Sequence, residues 1–236
     1  MATSAMYATP EKTTYDVVII GGAMLGSSTA WFLTDNPDFD GSVLVVERDP
    51  SYEKCSTAHT NSCIRQQFSS ELNVRISQFA ADFIKNLRSY MGGDPLVPDL
   101  SIQSYGYLYL ADNDGFADVL RSNQKVQLAA GAATQLMTAD EIRLAYPFYN
   151  VDDIVLGSIN RVDEVYWDGG PVFEWFRRSA RERGVEYISN EVVAITRNAA
   201  GTGVDSITLK SGEVISRGHV VNASGPRAAR TARMAG

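Results

Sequence analysis

Basic charge is scarce in this sequence. Its 236 residues carry 21 Lys and Arg against 28 Asp and Glu, a formal net charge of −7. Nucleic-acid phosphates are held by clustered cations, so no nucleic-acid partner is expected. The local run Arg177-Arg178 and Arg181-Glu182-Arg183 reads as one solvated helix face. Cysteine is scarce too: Cys55 and Cys63 are the only two. That excludes a disulfide framework and a structural zinc cluster, so no metal is expected and a reducing, cytoplasmic location fits. No apolar run is long enough to span a bilayer, because the longest, around Val17–Leu25, is broken by glycines. The opening "MATSAMYATPEKTT" has neither a basic n-region nor an apolar h-region, and it lacks arginine. It reads as a flexible tail over 1–14 rather than a secretory or transit signal. No repeat or low-complexity tract is visible.

What is present begins with Val17-Val18-Ile19-Ile20, a β-branched run of the kind that forms a buried parallel strand. Residues 23–33 can wind as a helix, and "GSVLVVERDP" supplies a second strand ending at Glu47. Together these make a βαβ unit. The turn between the first strand and the helix reads Gly21-Gly22-Ala23-Met24-Leu25-Gly26, with alanine in the second glycine slot of a dinucleotide fingerprint. In that fingerprint the first glycine makes the turn, the second admits the pyrophosphate and the third lets helix pack on strand. Ala23 adds one methyl on the phosphate's path. The helix N-terminus still offers N–H groups and a positive dipole end to an anion. Glu47 sits where a carboxylate accepts ribose hydroxyls and repels a 2′-phosphate, which favours FAD or NAD over NADP.

Downstream, residues 49–70 read as a long polar loop. Ile76, Phe79, Phe83 and Leu87 recur at helical spacing and predict a strong helix. Residues 101–111 alternate, which puts Tyr105, Tyr107 and Tyr109 on one strand face. Thr138 and Glu141 form a capping box for a short helix stopped at Pro147. Pro171 suits the first turn of another helix, which ends at Gly184. Short strands are expected over 185–188 and 192–196, then a hairpin around "LKSGEVI", then a separate β-run, "HVVNASG". The expected division is a tail over 1–14, a first part of the dinucleotide-binding domain over 15–90, a largely antiparallel substrate domain over 91–165, and a second dinucleotide-binding part over 166–236. The fold class is α/β.

The segments "DVVIIGGAMLGSSTAWFL", "VLVVERDP", "STAHTNSCIRQQF", "YGYLYLAD", "DGGPVFEWFRRSARERGVEYISNEVVAI" and "VVNASGP" occur in one order. In that order the chain resembles the D-amino-acid oxidase superfamily of FAD-dependent oxidoreductases, which includes sarcosine and glycine oxidases. The resemblance implies FAD as the cofactor. It assigns Gly21, Gly22, Ala23, Met24 and Gly26 to the pyrophosphate turn, and Glu47 to the adenosine ribose. Arg48 is implied near adenine, and Ser56, Thr57, Asn61 and Ser62 fall in the loop that wraps the flavin phosphates and ring. Val192 would touch adenine, and Ala223 and Gly225 would close over the cofactor. Arg65 falls where family members place an arginine that grips a substrate carboxylate; read alone, it suits a structural ion pair equally well. His59 reads as solvated, His219 as structural in a buried strand, and Cys63 as a small buried residue.

The implied reaction is oxidation of a C–N bond in an amino acid or N-methyl amino acid, with hydride passing to flavin N5 and an electron acceptor the sequence does not name. A non-catalytic FAD-binding or assembly protein and an NAD-linked dehydrogenase are the alternatives. The family's final glycine-rich segment beside the flavin ring has no counterpart here, so the chain reads as the N-terminal part of such an enzyme.

Overall fold

Strand β1 (Thr14–Ile20) lies inside a sheet, with Val17, Val18, Ile19 and Ile20 all buried. This is the expected fate of a β-branched run with no polar alternation. The structure, a computed structural model, describes residues 7–236. The expected tail over 1–14 therefore falls partly outside the described residues. Helix α1 (Met24–Asp35) follows the glycine turn, and β2 (Val43–Glu47) returns parallel to β1. The described chain forms two compact units, one of residues 7–60 with 169–236 and the other of residues 61–168.

The second unit contains β3 (Cys63–Ile64), α2 (Glu71–Lys85), the single turn α3 (Leu87–Tyr90) and β4 (Tyr107–Ala111). It continues through α4 (Asp114–Ala129), β5 (Gln135–Met137), α5 (Ala139–Ala145), β6 (Leu156–Asn160) and β7 (Val165–Tyr166). Three strands form an antiparallel sheet in the order β4-β6-β5, and β3 pairs antiparallel with β7. The capping box on α5 is present. Thr138 Oγ1 accepts from the Glu141 N–H at 3.3 Å, and Glu141 Oε2 accepts from the Thr138 N–H at 2.7 Å.

Several expectations for this region need correction. Residues 61–90, assigned from sequence to the dinucleotide-binding part, pack within the second unit. Helix α4 went unpredicted, although Asn113 caps it by accepting the Phe116 N–H at 2.9 Å. The expected stripe is split: Ile76 is 55% and Phe79 60% exposed, Phe83 is half-buried, and Leu87, at the start of α3, is buried. Val74, Ala81 and Ile84 are the buried residues of α2, while the rings of Phe79, Phe83 and Tyr90 gather at its half-buried to exposed side. Helical spacing fixes that a face is apolar, but a second apolar set one position around the helix can take the core side. Tyr105 precedes β4 and is exposed, which leaves only Tyr107 and Tyr109 as a ring pair, 5.2 Å apart.

The chain re-enters the first unit with α6 (Gly170–Glu182), β8 (Glu186–Ser189), β9 (Val192–Arg197), β10 (Val204–Leu209), β11 (Val214–Asn222) and α7 (Ala228–Met234). The six-stranded sheet runs β8-β2-β1-β11-β10-β9, parallel from β8 to β11 and antiparallel beyond. The hairpin around "LKSGEVI" and the "HVVNASG" run were expected as separate strands. The hairpin's second strand and that run are one strand, β11, which pairs with β10 over 214–216 and with β1 over 216–222. His219 lies on that strand but is exposed, not buried as expected. The core between β-strands is built from Val18, Leu44, Val46, Ile188, Ile207 and Ile215. Helix α1 packs on α6 through Trp31, whose ring meets Trp175 and Phe176 and whose Nε1 donates to Ser179 Oγ at 3.0 Å. Burying one such large apolar side chain contributes about 1.5–3 kcal/mol.

Candidate functional site

The parallel strands β1 and β2 end side by side, and the turn after β1 opens a cleft of about 410 Å³ in the first unit. Gly21 has φ +102°, and a Cβ there would stand 2.6 Å from the Ala223 carbonyl oxygen. That turn can be made only by glycine at this place. At Gly26 a Cβ would stand 1.8 Å from the Gly21 carbonyl oxygen, so α1 crosses the turn at a distance no side chain allows. Ala23 precedes α1 as its N-cap with φ −73° and ψ −160°, a backbone any residue adopts, and provides no side-chain cap. The alanine in the fingerprint is therefore unstrained. Ala23→Gly should change stability by no more than about 0.5 kcal/mol, since a better N-cap is offset by a more flexible unfolded chain. Denaturant midpoints check this, and a loss above about 1 kcal/mol would show that the methyl is packed.

Gly21, Ala23 and Met24 line the cleft, whereas Gly22 and Gly26 are buried behind it. Gly22 has its own constraint: a Cβ there would approach the Tyr52 hydroxyl at 3.0 Å and Val45 at 3.1 Å. Its N–H donates to Glu47 Oε2 at 2.8 Å, so it is not offered to a phosphate. Glu47 Oε1 accepts the Asp49 N–H at 2.7 Å. Each carboxylate oxygen has two acceptor directions, so one remains on each oxygen for a vicinal diol. Met24 donates its N–H to Thr57 Oγ1 at a long 3.4 Å. Arg48, Ser56 and Thr57 line the same cleft, as do Val192, Ala223 and Gly225. Asn61 and Ser62 lie in the second unit, beside β3.

Sequence reasoning missed Tyr52, Asn190, Arg227 and Arg230, which also line the cleft. Tyr52 is buried with φ +58°, its ring edge-on to Phe173 at 4.8 Å and under the Arg177 guanidinium at 5.4 Å. Burial raises its hydroxyl pKa, and the nearby Glu47 carboxylate adds to this. The solvated face expected at Arg177 and Arg181 is instead partly a stacking face, with Arg181 4.7 Å above the Tyr187 ring. Nothing in the residue types marks Tyr52; the only signal was its place five residues after the strand-end acid. Arg48, Lys54, Arg227 and Arg230 line the cleft without a salt bridge among the described residues; Arg48 and Lys54 act on the Asp49 carboxylate beside them, and Arg227 and Arg230 add positive charge. A glycine cradle at a helix N-terminus, a carboxylate with spare acceptor sites and cleft-lining cations fit an adenosine diphosphate group.

In the second unit, Arg65 is half-buried, with its guanidinium 5.3 Å from the Phe68 ring and 5.7 Å from Tyr107. It interacts with the Tyr109 hydroxyl, whose pKa burial raises and Arg65 lowers. Arg65 makes no direct salt bridge among the described residues, and the charged group it acts on is the buried Glu164 carboxylate. Cys63, expected to be buried, is exposed, and its Sγ lies 3.4 Å from the Asn61 carbonyl. Glu164, which no sequence pattern singled out, is fully buried. Burial pushes its carboxyl up; hydrogen bonds from the Gln66 N–H, Gln67 and Asn160, and the Arg65 charge, oppose that rise. Among the described residues no His/Cys/Asp/Glu group could hold a metal ion, and no helix is long and apolar enough to cross a membrane.

The comparisons with known proteins agree with this geometry. The model of the family described as FAD dependent oxidoreductase matches residues 16–236. The Xenopus laevis FAD-dependent oxidoreductase domain-containing protein 1 is 35% identical over 187 residues, covering 78% of this chain and 37% of that protein. The beta subunit of an Arthrobacter sarcosine oxidase is 28% identical over 227 residues, covering 89% of this chain and 52% of that protein. Among solved structures, L-proline dehydrogenase from P. horikoshii superposes with a TM-score of 0.75 at 26% identity, covering 96% of this chain and 56% of that one. The chain thus spans little more than half, or less, of the length of each of these three proteins. The matching family is FAD-dependent, so the cofactor is FAD, and the fold is the expected α/β class. By its sequence match and its fold alike, the chain belongs to the FAD dependent oxidoreductase family.

Proposed function

We propose that this chain forms part of an enzyme that oxidises the C–N bond of an amino acid or N-methyl amino acid. The observation that carries the reading is Arg65, a half-buried guanidinium flanked by Phe68 and Tyr107 and without a direct salt bridge among the described residues. A planar, permanently charged fork is suited to a substrate carboxylate, and aromatic walls keep water from competing. The sarcosine oxidase subunit and the L-proline dehydrogenase are named for secondary amino acids, which supports the same class. When bound, the flavin supplies the hydride acceptor.

In this reading the first unit holds the adenosine diphosphate half of FAD. Glu47 accepts the ribose hydroxyls, the α1 N-terminus with Ala23 and Met24 meets the diphosphate, and Val192 packs near adenine. Gly21, Gly22 and Gly26 shape the turn, and Arg48, Ser56, Thr57, Ala223 and Gly225 complete the walls. Asn61 and Ser62 belong to the loop expected beside the flavin. Residues of the second unit form part of the substrate domain. Two free thiols agree with a reducing compartment such as the cytoplasm. A non-catalytic FAD-binding role is the competing reading, and the relative named only for its domain leaves it open.

The test is made in the full-length protein loaded with FAD. Flavin reduction should proceed with sarcosine, and Arg65→Ala should lose about 1.5–3 kcal/mol of apparent sarcosine affinity, roughly 10- to 100-fold. Arg65→Lys should fall between, because it keeps the charge and loses the fork. Dimethylamine, which lacks the carboxylate, should be little affected. Equal losses for both amines would reassign Arg65, and no reduction by any amine would favour the non-catalytic role.

A further inference from the structure

Glu164 sits in the second unit between two residues with left-handed backbones, Asp163 at φ +54° and Val165 at φ +117°. That conformation is unfavourable for a β-branched residue, and burying a carboxylate adds a further cost. Both are tolerated here because the surroundings fix them. Glu164 Oε1 accepts the Gln66 N–H at 2.5 Å and Asn160 Nδ2 at 2.9 Å, and Oε2 accepts Gln67 Nε2 at 3.1 Å. Two of these donors belong to the residues directly after Arg65. The same short segment is tied further: Gln67 Nε2 donates to the Tyr107 carbonyl at 2.6 Å, and Gln67 Oε1 accepts from Ser158 Oγ at 2.8 Å. Gln66 Nε2 donates to the Val162 carbonyl at 3.1 Å. A buried network of this kind is rigid when every member is satisfied. Its one charged member attracts the Arg65 guanidinium, the nearby cation that also faces the Tyr107 ring.

We propose that Glu164 is a positioning residue for Arg65: its buried carboxylate fixes the backbone that follows Arg65 and holds the guanidinium in one orientation for an anionic substrate group. The proposal rests on the reading of Arg65 as the carboxylate-binding residue. It separates Glu164 from an ordinary buried structural acid, because its influence on ligand binding must pass through Arg65.

A double-mutant cycle in the full-length, FAD-loaded protein tests this, with propionate as the probe and its affinity read from the change in flavin absorbance. Arg65→Ala is expected to weaken propionate roughly 10- to 100-fold, and Glu164→Gln about tenfold. In the Arg65→Ala background, Glu164→Gln should change propionate affinity by less than about twofold. FAD affinity should stay unchanged in every variant. An equal loss from Glu164→Gln in both backgrounds would overturn the proposal, as would no loss in the wild-type background. If Arg65→Ala itself leaves propionate binding intact, the reading of Arg65 fails and this proposal falls with it. A loss at Arg65→Ala with none at Glu164→Gln removes the proposal alone. Should Glu164→Gln fail to fold, Asn160→Ala removes one of the three donors and keeps the charge. Its expected loss, about threefold, must likewise vanish without Arg65, and persistence there would count against the proposal.

Discussion

Gly26→Ala is expected to unfold the glycine turn, at a cost of at least about 3 kcal/mol. The added Cβ would stand 1.8 Å from the Gly21 carbonyl oxygen and 3.3 Å from Ile19 Cγ2. The nearest atom is backbone, so no side chain can swing aside. Relief requires α1 to move away from the end of β1, which separates Trp31 from Trp175 and Phe176 on α6. The same motion removes the helix N-terminus from the cleft, so FAD affinity should fall as well. For a chain of this size such a loss lowers the unfolding temperature by roughly 6–12 °C. Calorimetry and FAD titration of the full-length protein measure the two effects. A change under about 1 kcal/mol would mean that α1 does not cross the turn in contact with the Gly21 carbonyl.

Glu47→Ala should have the second largest effect, on cofactor affinity rather than on folding. The carboxylate already accepts the N–H groups of Gly22 and Asp49, at 2.8 Å and 2.7 Å. Its removal leaves the Gly22 N–H without a partner beneath the buried Tyr52 and takes away the acceptors offered to a ribose. Loss of charge-assisted hydrogen bonds of this kind amounts to about 1–3 kcal/mol of FAD binding. Glu47→Gln keeps the shape and one acceptor, so it should lose less. Fluorescence titration of FAD into the apoprotein separates the three proteins. Equal affinities would show that the cleft binds its ligand without the strand-end acid, and the assignment of the adenosine half would have to change.

Much of the first unit was legible because its signals are local. A β-branched run without polar interruption has to be buried on both faces, and β1 is. Gly21 and Gly26 are demanded by a turn made within a few residues of sequence, and Glu47 follows at a strand end whose length is set by the sheet. The capping box at Thr138 and the proline-led start of α6 are equally local. The second unit was read less well. The helix over α2 is present, but its apolar spacing splits between core and surface, and the tyrosine stripe loses Tyr105, because periodicity gives an amphipathic face without saying what covers it.

The sequence by itself determined the α/β class and the glycine turn with its acid, which rest on residues close together in the chain, and the resemblance to a flavoenzyme family, which rests on short local motifs in a fixed order. Only the tertiary structure decided that Gly22 serves Glu47 rather than a phosphate, that β11 is one strand shared by two neighbours, and that Tyr52 and the arginines of the last helical segment share a cleft with the turn. The same holds for Glu164, whose three donors come from Gln66, Gln67 and Asn160, the first two nearly a hundred positions away. A single acid in a polar stretch has no period and no motif; its burial, its partners and its pull on Arg65 arise only when β6 and the segment after β3 are brought together.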